Sequence, residues 1–224
     1  MANRFLKITA LLAGFACQAV GGQGLPTTAH PNVDGWKDLF EPDLSNAILS
    51  PGEWVMEDGV LSARGHGMIW SRESYGDFVL DLEFKVASGA NSGVFLRAGD
   101  IRSPITGIEV QIHETTDGQE FGMVGAIYGA KAPSQNVARP AGEWNRYTIA
   151  CLDSQIYVVF NGKQVIDIDL DDWTEAHHNP DGTWNKFDIP LKDYPRVGPV
   201  GLQGIHGKAG QPVWFRNLKI RVLD

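Results

Sequence analysis

Hydrophobic and polar residues alternate along much of the chain, and the alternation is clearest at residues 77–85 and 107–113. In the first segment, apolar side chains recur at every second position, at Phe78, Leu80, Leu82 and Phe84. In the second segment, one side carries Ile108, Val110 and Ile112, and the other carries Glu109, Gln111 and His113. A period of two places successive side chains on opposite faces of a β-strand, so both segments are predicted strands with one buried face.

The clearest hairpin signal is Asn161-Gly162, which joins apolar segments at residues 155–160 and 163–168. An Asn-Gly pair favours a type I′ turn because both of its residues adopt positive φ. Further strand patterns lie at residues 93–97, 200–203 and 213–222. No segment has the spacing of a convincing amphipathic helix. These patterns predict an all-β fold in which two antiparallel sheets pack as a sandwich or jelly roll.

The amino terminus has the pattern of a secretory signal peptide. Arg4 and Lys7 precede an apolar run at residues 8–16, which is too short to span a bilayer, and small residues follow. Cys17 lacks the aliphatic residue that a lipoprotein signal has three positions before its cysteine. We therefore expect residues 1–24 to direct export to the periplasm or the extracellular space, with neither a lipid anchor nor a stable membrane span.

The remaining chain, which we interpret as a single domain at residues 34–223, is acidic. The full sequence has 19 Lys and Arg against 27 Asp and Glu, a formal net charge of −8 at pH 7. Nucleic acids and anionic membranes attract clustered cations, so this balance argues against both as partners. A neutral, hydroxylated ligand such as a carbohydrate suits such a surface. The aromatic candidates for stacking on sugar rings are Trp70, Tyr128, Trp144 and Trp184.

The polar side of the strand at residues 107–113 carries a carboxylate, an amide and an imidazole at alternate positions. Side chains on one face of a strand lie about 6–7 Å apart, so Glu109, Gln111 and His113 can line one surface. Glu83 and Arg97 occupy analogous polar positions, and they would converge on that surface if their strands are neighbours. Such a set can bind sugar hydroxyls and transfer protons. A solvated sheet face alternates in the same way and remains the alternative.

Two features outside the predicted strands are further candidates for a functional role. His206 lies near a predicted strand end between Gly204 and Gly207, where glycines let a substrate approach closely, although a plain turn has the same composition. Residues 171–195 form a long irregular segment. In a compact fold, so long an irregular segment more often carries functional residues or forms the rim of a binding site than serves only as a connection.

A series of short motifs follows in order along the chain. It comprises GWKDLF (35–40), NSGVFLR (91–97), GIEVQIH (107–113), GAIYG (125–129), GEWN (142–145), NG (161–162), VGLQ (200–203), HG (206–207) and FRNL (215–218). Together these motifs resemble the 3-keto-disaccharide hydrolase domain family over residues 34–223. The resemblance implies a concanavalin A-like jelly roll in an exported bacterial protein that acts on 3-keto-glycosides.

The resemblance also implies cleavage by elimination followed by hydration. A ketone at C3 of a sugar acidifies the hydrogen at C2, and its removal gives an enolate that expels the group at C1. Water then adds to the unsaturated ketone, and the net result is cleavage of the glycoside. This route needs a base, an acid for the leaving oxygen and a positive or hydrogen-bonding group at the enolate oxygen.

For the proton transfers, the candidates are Glu109 or His113 as base and His206 as the alternative acid or base. Glu83 is a second carboxylate that would serve as acid or hold a metal. A divalent ion bound by Glu and His is an alternative means of polarising the ketone. No other cofactor is expected.

For substrate binding, Arg97 and Gln111 would bind or polarise the ketone, and Gln203 and Asn91 would hold hydroxyls. Trp70 and Tyr128 would form the platform for a sugar ring. Two other functions fit the same surface. An ordinary glycosidase would need two carboxylates about 5–9 Å apart, for which Glu83 and Glu109 are the candidates. A carbohydrate-binding module would use the groove and the aromatic residues without any base.

Overall fold

The computed structural model describes residues 35–103, 107–114, 120–207 and 210–223. Over these ranges the strands are β1 (Lys37–Asp38), β2 (Ala47–Ile48), β3 (Trp54–Glu57), β4 (Val60–Ala63), β5 (Ile69–Tyr75), β6 (Phe78–Val86), β7 (Asn91–Leu96), β8 (Ile108–His113), β9 (Asn145–Leu152), β10 (Gln155–Phe160), β11 (Lys163–Asp169), β12 (Gly198–Leu202) and β13 (Val213–Val222). Short 3-10 helices occupy Glu120–Gly122, Leu170–Asp172 and Leu191–Asp193. The predicted signal peptide, including Cys17, lies outside the described residues.

The strands form two antiparallel sheets. The larger sheet has the order β11-β10-β9-β6-β13-β4-β3, and β1 also pairs with β13. The smaller sheet has the order β2-β5-β12-β7-β8. This arrangement confirms the predicted all-β, concanavalin A-like jelly-roll sandwich. Within the described ranges, no helix is long and apolar enough to cross a membrane.

The core lies between the sheets and is built by the predicted alternation. From β6 of the larger sheet it takes Phe78, Leu80, Leu82, Phe84 and Val86. From β8 of the smaller sheet it takes Ile108, Val110 and Ile112. Because side chains alternate across a strand, the burial of these residues turns the intervening polar residues of both strands outward. The predicted alternation of side chains in β6 and β8 is therefore confirmed, but the outward residues Asp81, Glu109 and Gln111 are buried as well.

Tyr147 of β9 ties the two sheets together through the core. Its ring is fully buried and packs against Phe84 and Phe160, with ring centroids 4.7 and 4.8 Å away. Its hydroxyl donates a hydrogen bond of 2.7 Å to the backbone carbonyl of Gln111 in β8. Burial raises the pKa of Tyr147 well above its ordinary value, so the hydroxyl keeps the proton that it donates. The contact fixes the backbone of β8 at the middle of its polar stripe.

The predicted hairpin at Asn161-Gly162 is also confirmed. β10 and β11 pair antiparallel on either side of it, and Asn161 and Gly162 have φ values of 46° and 81°. Both residues thus adopt the positive φ that a type I′ turn requires. The side chain of Asn161 reinforces the turn region by donating 2.8 Å hydrogen bonds to the carbonyl of Val137 and to Asn145 Oδ1.

Candidate functional site

The outward face of the smaller sheet brings several predicted residues together. Here it is called the site face, and on β5, β12, β7 and β8 it consists of Trp70, Gly201, Asn91, Gly93, Phe95, Glu109, Gln111 and His113. Between β7 and β8, the register pairs Asn91 with His113, Gly93 with Gln111 and Phe95 with Glu109. Gln203 follows β12 and joins this face because its backbone N–H donates to the carbonyl of Gly93 at 2.9 Å. Of the cross-strand neighbours of the polar stripe, Asn91 is polar, and Gln203 lies on the other side of Gly93.

Two glycines make room for large side chains on the site face. A Cβ atom at Gly93 would overlap the carboxylate of Glu109, so that carboxylate lies over Gly93. A Cβ atom at Gly201 would overlap the indole of Trp70, which therefore lies across β12. The indole also contacts Phe95 edge to face, with ring centroids 5.9 Å apart. These positions need glycine because another side chain occupies the space that a Cβ would fill.

Glu109 is a buried carboxyl group with an unusual titration range. It is only 6% exposed, and burial raises its pKa to about 7. The nearby ammonium group of Lys186, 3.6 Å from Oε2, favours the carboxylate and opposes that shift. A carboxyl group that titrates near neutral pH can both accept and return a proton under physiological conditions.

Lys186 is the main contributor to the site that the sequence did not identify. It belongs to the irregular segment 171–195, for which a functional or rim role was predicted from length alone. Its ammonium nitrogen lies 4.8 Å from the ring centroid of Tyr128 and 5.4 Å from that of Phe187. Burial lowers the pKa of Lys186, while Glu109 opposes this change. Since the segment has no strand or helix period, the sequence signal did not show which of its side chains reaches the sheet.

Tyr128 lies at the surface next to Glu109 and Lys186. Its backbone N–H donates to the carbonyl of Glu109 at 2.9 Å, and 39% of the residue is exposed. An exposed ring at this place can stack on an apolar sugar face. Trp70 differs, because it is 3% exposed and clusters with Phe95, Ala98, Met68 and Ile101. The expectation that Trp70 is an open platform is wrong, because its indole lies over Gly201 on the site face and is covered within this cluster.

Three amide oxygens around Gly93 are buried without a hydrogen-bond partner among the described residues. They are Asn91 Oδ1, Gln111 Oε1 and Gln203 Oε1. By register, Gly93 lies between Gln111 on one side and Gln203 on the other, and Asn91 is two residues away along β7. An unpaired buried acceptor costs about 1–3 kcal/mol, which a ligand that donates hydrogen bonds recovers. The three oxygens together therefore suit a ligand with several hydroxyl groups.

The far end of the site face carries the predicted histidines. Asn91 pairs with His113 on one side and forms an isolated β-bridge with His206 on the other. His113 is half-buried and His206 is exposed. A third histidine, His66, was not predicted; its Nδ1 lies 2.7 Å from the carbonyl of Ile205. Imidazole groups thus flank the end of the face opposite Phe95.

Glu83 does not belong to this site, so its predicted convergence with Glu109 is wrong. It lies on β6, on the outward face of the larger sheet, across the core from the site face. Arg216 Nε donates to its carboxylate at 2.8 Å, and Asn217 Nδ2 donates at 2.6 Å. Polar alternation in β6 and β8 is equally regular, but the two strands belong to different sheets.

Arg97 is also turned away from the site face, contrary to expectation. It follows β7 with a φ of +49°, which redirects the chain, and its side chain is 1% exposed. The guanidinium donates to the backbone carbonyls of Gly76 and Asp153 and lies 3.3 Å from Asp77 Oδ1. These partners occupy the ends of neighbouring strands, so Arg97 holds loops together.

The described residues do not offer a ligand set for the alternative of a divalent ion. Within the described ranges, no three His, Cys, Asp or Glu side chains are grouped so that they could hold a metal. At Glu109 the carboxylate already faces the positive charge of Lys186, which repels a second cation.

Comparison with known sequences finds relatives over nearly the whole domain. The family model described as a 3-keto-alpha-glucoside-1,2-lyase-like domain matches residues 31–221. The chain is also similar to the 3-keto-disaccharide hydrolase of Bacteroides thetaiotaomicron. The two are 26% identical over an alignment of 233 residues that covers 86% of this chain and 80% of that protein.

Comparison with solved structures gives the same fold. A candidate glycosyl hydrolase from Parabacteroides distasonis ATCC 8503 superposes with a TM-score of 0.80 and is 38% identical, covering 84% of this chain and 99% of that one. The carbohydrate-binding module CBM66 from Bacillus subtilis has a TM-score of 0.50 at 11% identity, over 80% of this chain and 98% of its own. The second likeness concerns the fold alone.

Proposed function

Because the chain belongs to the 3-keto-alpha-glucoside-1,2-lyase-like family, we propose that it cleaves 3-keto-glycosides, including 3-keto-disaccharides. The observation that carries this proposal is the buried carboxyl group of Glu109, whose pKa is about 7, on a face with unpartnered hydrogen-bond acceptors. The name of the Bacteroides relative and the candidate assignment of the Parabacteroides structure support an enzyme that acts on sugars.

In the proposed mechanism Glu109 is the base that removes the hydrogen at C2. The proton passes from C2 to the carboxylate, and the electron pair forms a C2–C3 double bond with negative charge on the C3 oxygen. As the C3 carbonyl re-forms, a C1–C2 double bond forms and the C1–O bond breaks. Water then adds at C1 and a proton returns to C2. A base works best when its pKa is close to the working pH, and Glu109 meets this condition.

The remaining polar groups of the site face serve binding and protonation in this proposal. The oxygens of Asn91, Gln111 and Gln203 accept hydrogen bonds from sugar hydroxyls. Gln111 also carries two N–H donors on Nε2, so its expected role in polarising the ketone remains part of the proposal. The exposed ring of Tyr128 packs on the sugar, and His113 or His206 supplies the proton for the leaving oxygen.

The position of Glu83 weighs against an ordinary glycosidase. Such an enzyme needs two carboxylates on opposite sides of the scissile bond, about 5–9 Å apart. Glu109 and Glu83, the predicted pair, lie on the outward faces of different sheets with the core between them. A ketone in the substrate removes the need for a second carboxylate because the enolate route uses one base.

We also propose that the protein acts outside the cytoplasm. The support is the basic and apolar pattern of residues 1–24, with Arg4 and Lys7 before the apolar run. Fractionating cells that express the full chain, and sequencing the mature amino terminus, tests this location. A protein that keeps Met1 and stays in the cytoplasm would contradict it.

The test of the proposed activity compares two substrates that differ only at C3, which is a ketone in one sugar and carries a hydroxyl group in the other. Purified protein is given 4-nitrophenyl 3-keto-glucoside or the unoxidised 4-nitrophenyl glucoside, and release of nitrophenol is followed. We expect rapid release from the keto-sugar and none above background from its parent, since only the ketone acidifies the C2 hydrogen. Cleavage of the parent alone would contradict the elimination route, and cleavage of neither sugar would contradict the proposed activity.

A further inference from the structure

Lys186 lies in a stretch of segment 171–195 that is held together by a buried network of asparagine side chains. Asn179 is 5% exposed; its Oδ1 accepts from Trp173 Nε1 at 2.8 Å and from Asn185 Nδ2 at 3.1 Å. Asn185 Oδ1 accepts in turn from the backbone N–H of Phe187 at 3.0 Å. Asn185 and Phe187, the neighbours of Lys186 in the chain, are each 1% exposed. The lysine thus projects from an anchored stretch of segment 171–195.

The stem of Lys186 passes over a glycine that leaves space for it. Gly129 has a φ of +81°, and a Cβ atom there would lie 3.3 Å from Lys186 Cγ. The ammonium group then lies between the rings of Tyr128 and Phe187 and reaches to 3.6 Å from Glu109 Oε2. Aromatic faces attract a cation and keep water away from it. The side chains of Lys186 and Glu109 are only 13% and 8% exposed.

We propose that Lys186 is a catalytic residue of the reaction, and that its ammonium group donates to the C3 oxygen of the keto-sugar as that oxygen becomes an enolate. The inference rests on the proposed function, and it gives Lys186 a role at the ketone that was expected of Arg97 and Gln111. C2 and C3 are adjacent atoms, so a base at one and a donor at the other must lie side by side. The carboxylate of Glu109 and the ammonium group of Lys186 lie side by side, 3.6 Å apart.

The charges of the pair suit a proton transfer from C2. Before the transfer, the ammonium of Lys186 faces the carboxylate of Glu109. When Glu109 takes the proton it becomes neutral, and the same negative charge appears on the C3 oxygen. Lys186 therefore keeps one anionic partner throughout, and no charge is left unpaired in a buried site. Fixed charges aimed at developing charge are a major source of transition-state stabilisation.

The test replaces Lys186 by Met, which keeps the length of the stem and removes the charge, and by Arg, which keeps the charge. For 4-nitrophenyl 3-keto-glucoside we expect kcat/KM to fall about 100-fold in Lys186→Met, the scale of losing one oxyanion donor. Lys186→Arg should retain more activity than Lys186→Met. The matched control is Lys192→Met, because Lys192 is exposed and pairs with Asp193; its kcat/KM should match that of the wild type.

A pH profile and a trapping experiment separate catalysis from packing. Removing the cation raises the pKa of Glu109 further, so in Lys186→Met the rise of kcat/KM with pH should move above 7, while in Lys186→Arg it should stay near 7. Borohydride added during turnover should not label Lys186, since the amine remains an ammonium donor.

The results distinguish this inference from the proposed function. If the wild type cleaves the keto-sugar and Lys186→Met is equally active with an unchanged pH profile, the role of Lys186 is refuted and the proposed function stands. A borohydride adduct on Lys186 would also refute the ammonium role. If the wild type itself does not cleave the keto-sugar, the proposed function fails first.

Discussion

Replacing Glu109 by Gln should lower kcat/KM for a 3-keto-glucoside by about 1000-fold, within the range that a general base contributes. Gln keeps the size of the side chain and its place over Gly93 but does not accept a proton. Lys186 would remain beside it, so binding of the sugar should be less affected than turnover. The measurement is steady-state cleavage of 4-nitrophenyl 3-keto-glucoside by both proteins.

The wild type should also show a pH dependence that Glu109→Gln lacks. Glu109 is active as the carboxylate, and its pKa is about 7 because burial disfavours the charged form. The carboxylate fraction, and with it kcat/KM, therefore rises as the pH increases through about 7. Any residual activity of Glu109→Gln should not follow that rise.

The matched control for Glu109→Gln is Glu83→Gln. Glu83 carries the same functional group at an equivalent position of its strand, but it lies on the larger sheet and binds Arg216 and Asn217. We expect Glu83→Gln to keep kcat/KM within twofold of the wild type. Full activity in Glu109→Gln, or loss in Glu83→Gln without unfolding, would contradict the assignment of the base.

Replacing Arg97 by Met should destabilise the fold by about 2–4 kcal/mol, because two backbone carbonyls lose a buried, charged hydrogen-bond donor. The guanidinium is 1% exposed and is bound by two backbone carbonyls and Asp77. Methionine fills part of the space but removes the charged donor to the carbonyls of Gly76 and Asp153, while Asp77 still accepts from the backbone N–H of Asp153 at 2.8 Å. Urea unfolding of both proteins gives the difference in free energy of unfolding.

Arg102→Met is the control for Arg97→Met. Arg102 pairs with Asp100 at 2.9 Å, but its side chain is 87% exposed, and such surface pairs contribute little. Its free energy of unfolding should therefore stay close to that of the wild type. If Arg97→Met kept full stability and lost the cleavage activity, the structural role of Arg97 would be wrong and its predicted role at the ketone would be restored.

The sequence predicted the local geometry well because that geometry depends on short-range spacing. A period of two fixes which side chains of β8 face the core, and Asn161-Gly162 fixes a turn that only positive φ permits. The same rule could not place Glu83 and Glu109 relative to each other. Periodicity tells which face of a strand a residue occupies, but not which sheet the strand joins.

Arg97 and Lys186 show a second limit. Arg97 continues the alternation of β7 in sequence, yet its φ of +49° breaks the strand geometry there and turns the side chain away. Lys186 reaches Glu109 because buried contacts of Asn179, Asn185 and Phe187 fold an irregular segment over the sheet. Neither outcome follows from a repeat. Arg97 depends on distant partners such as Asp153. Lys186 depends on both local hydrogen bonds within its segment and its approach to Glu109, which lies far earlier in the chain.

Cleavage of a 3-keto-glucoside should break the C2–H bond of the sugar. The measurement compares a 3-keto-glucoside that carries deuterium at C2 with its protium form, and it follows both the rate of cleavage and the label in the product. We predict slower cleavage of the deuterated sugar and loss of deuterium from C2 to water. Product that forms at an unchanged rate and keeps all of its deuterium would exclude removal of the C2 hydrogen.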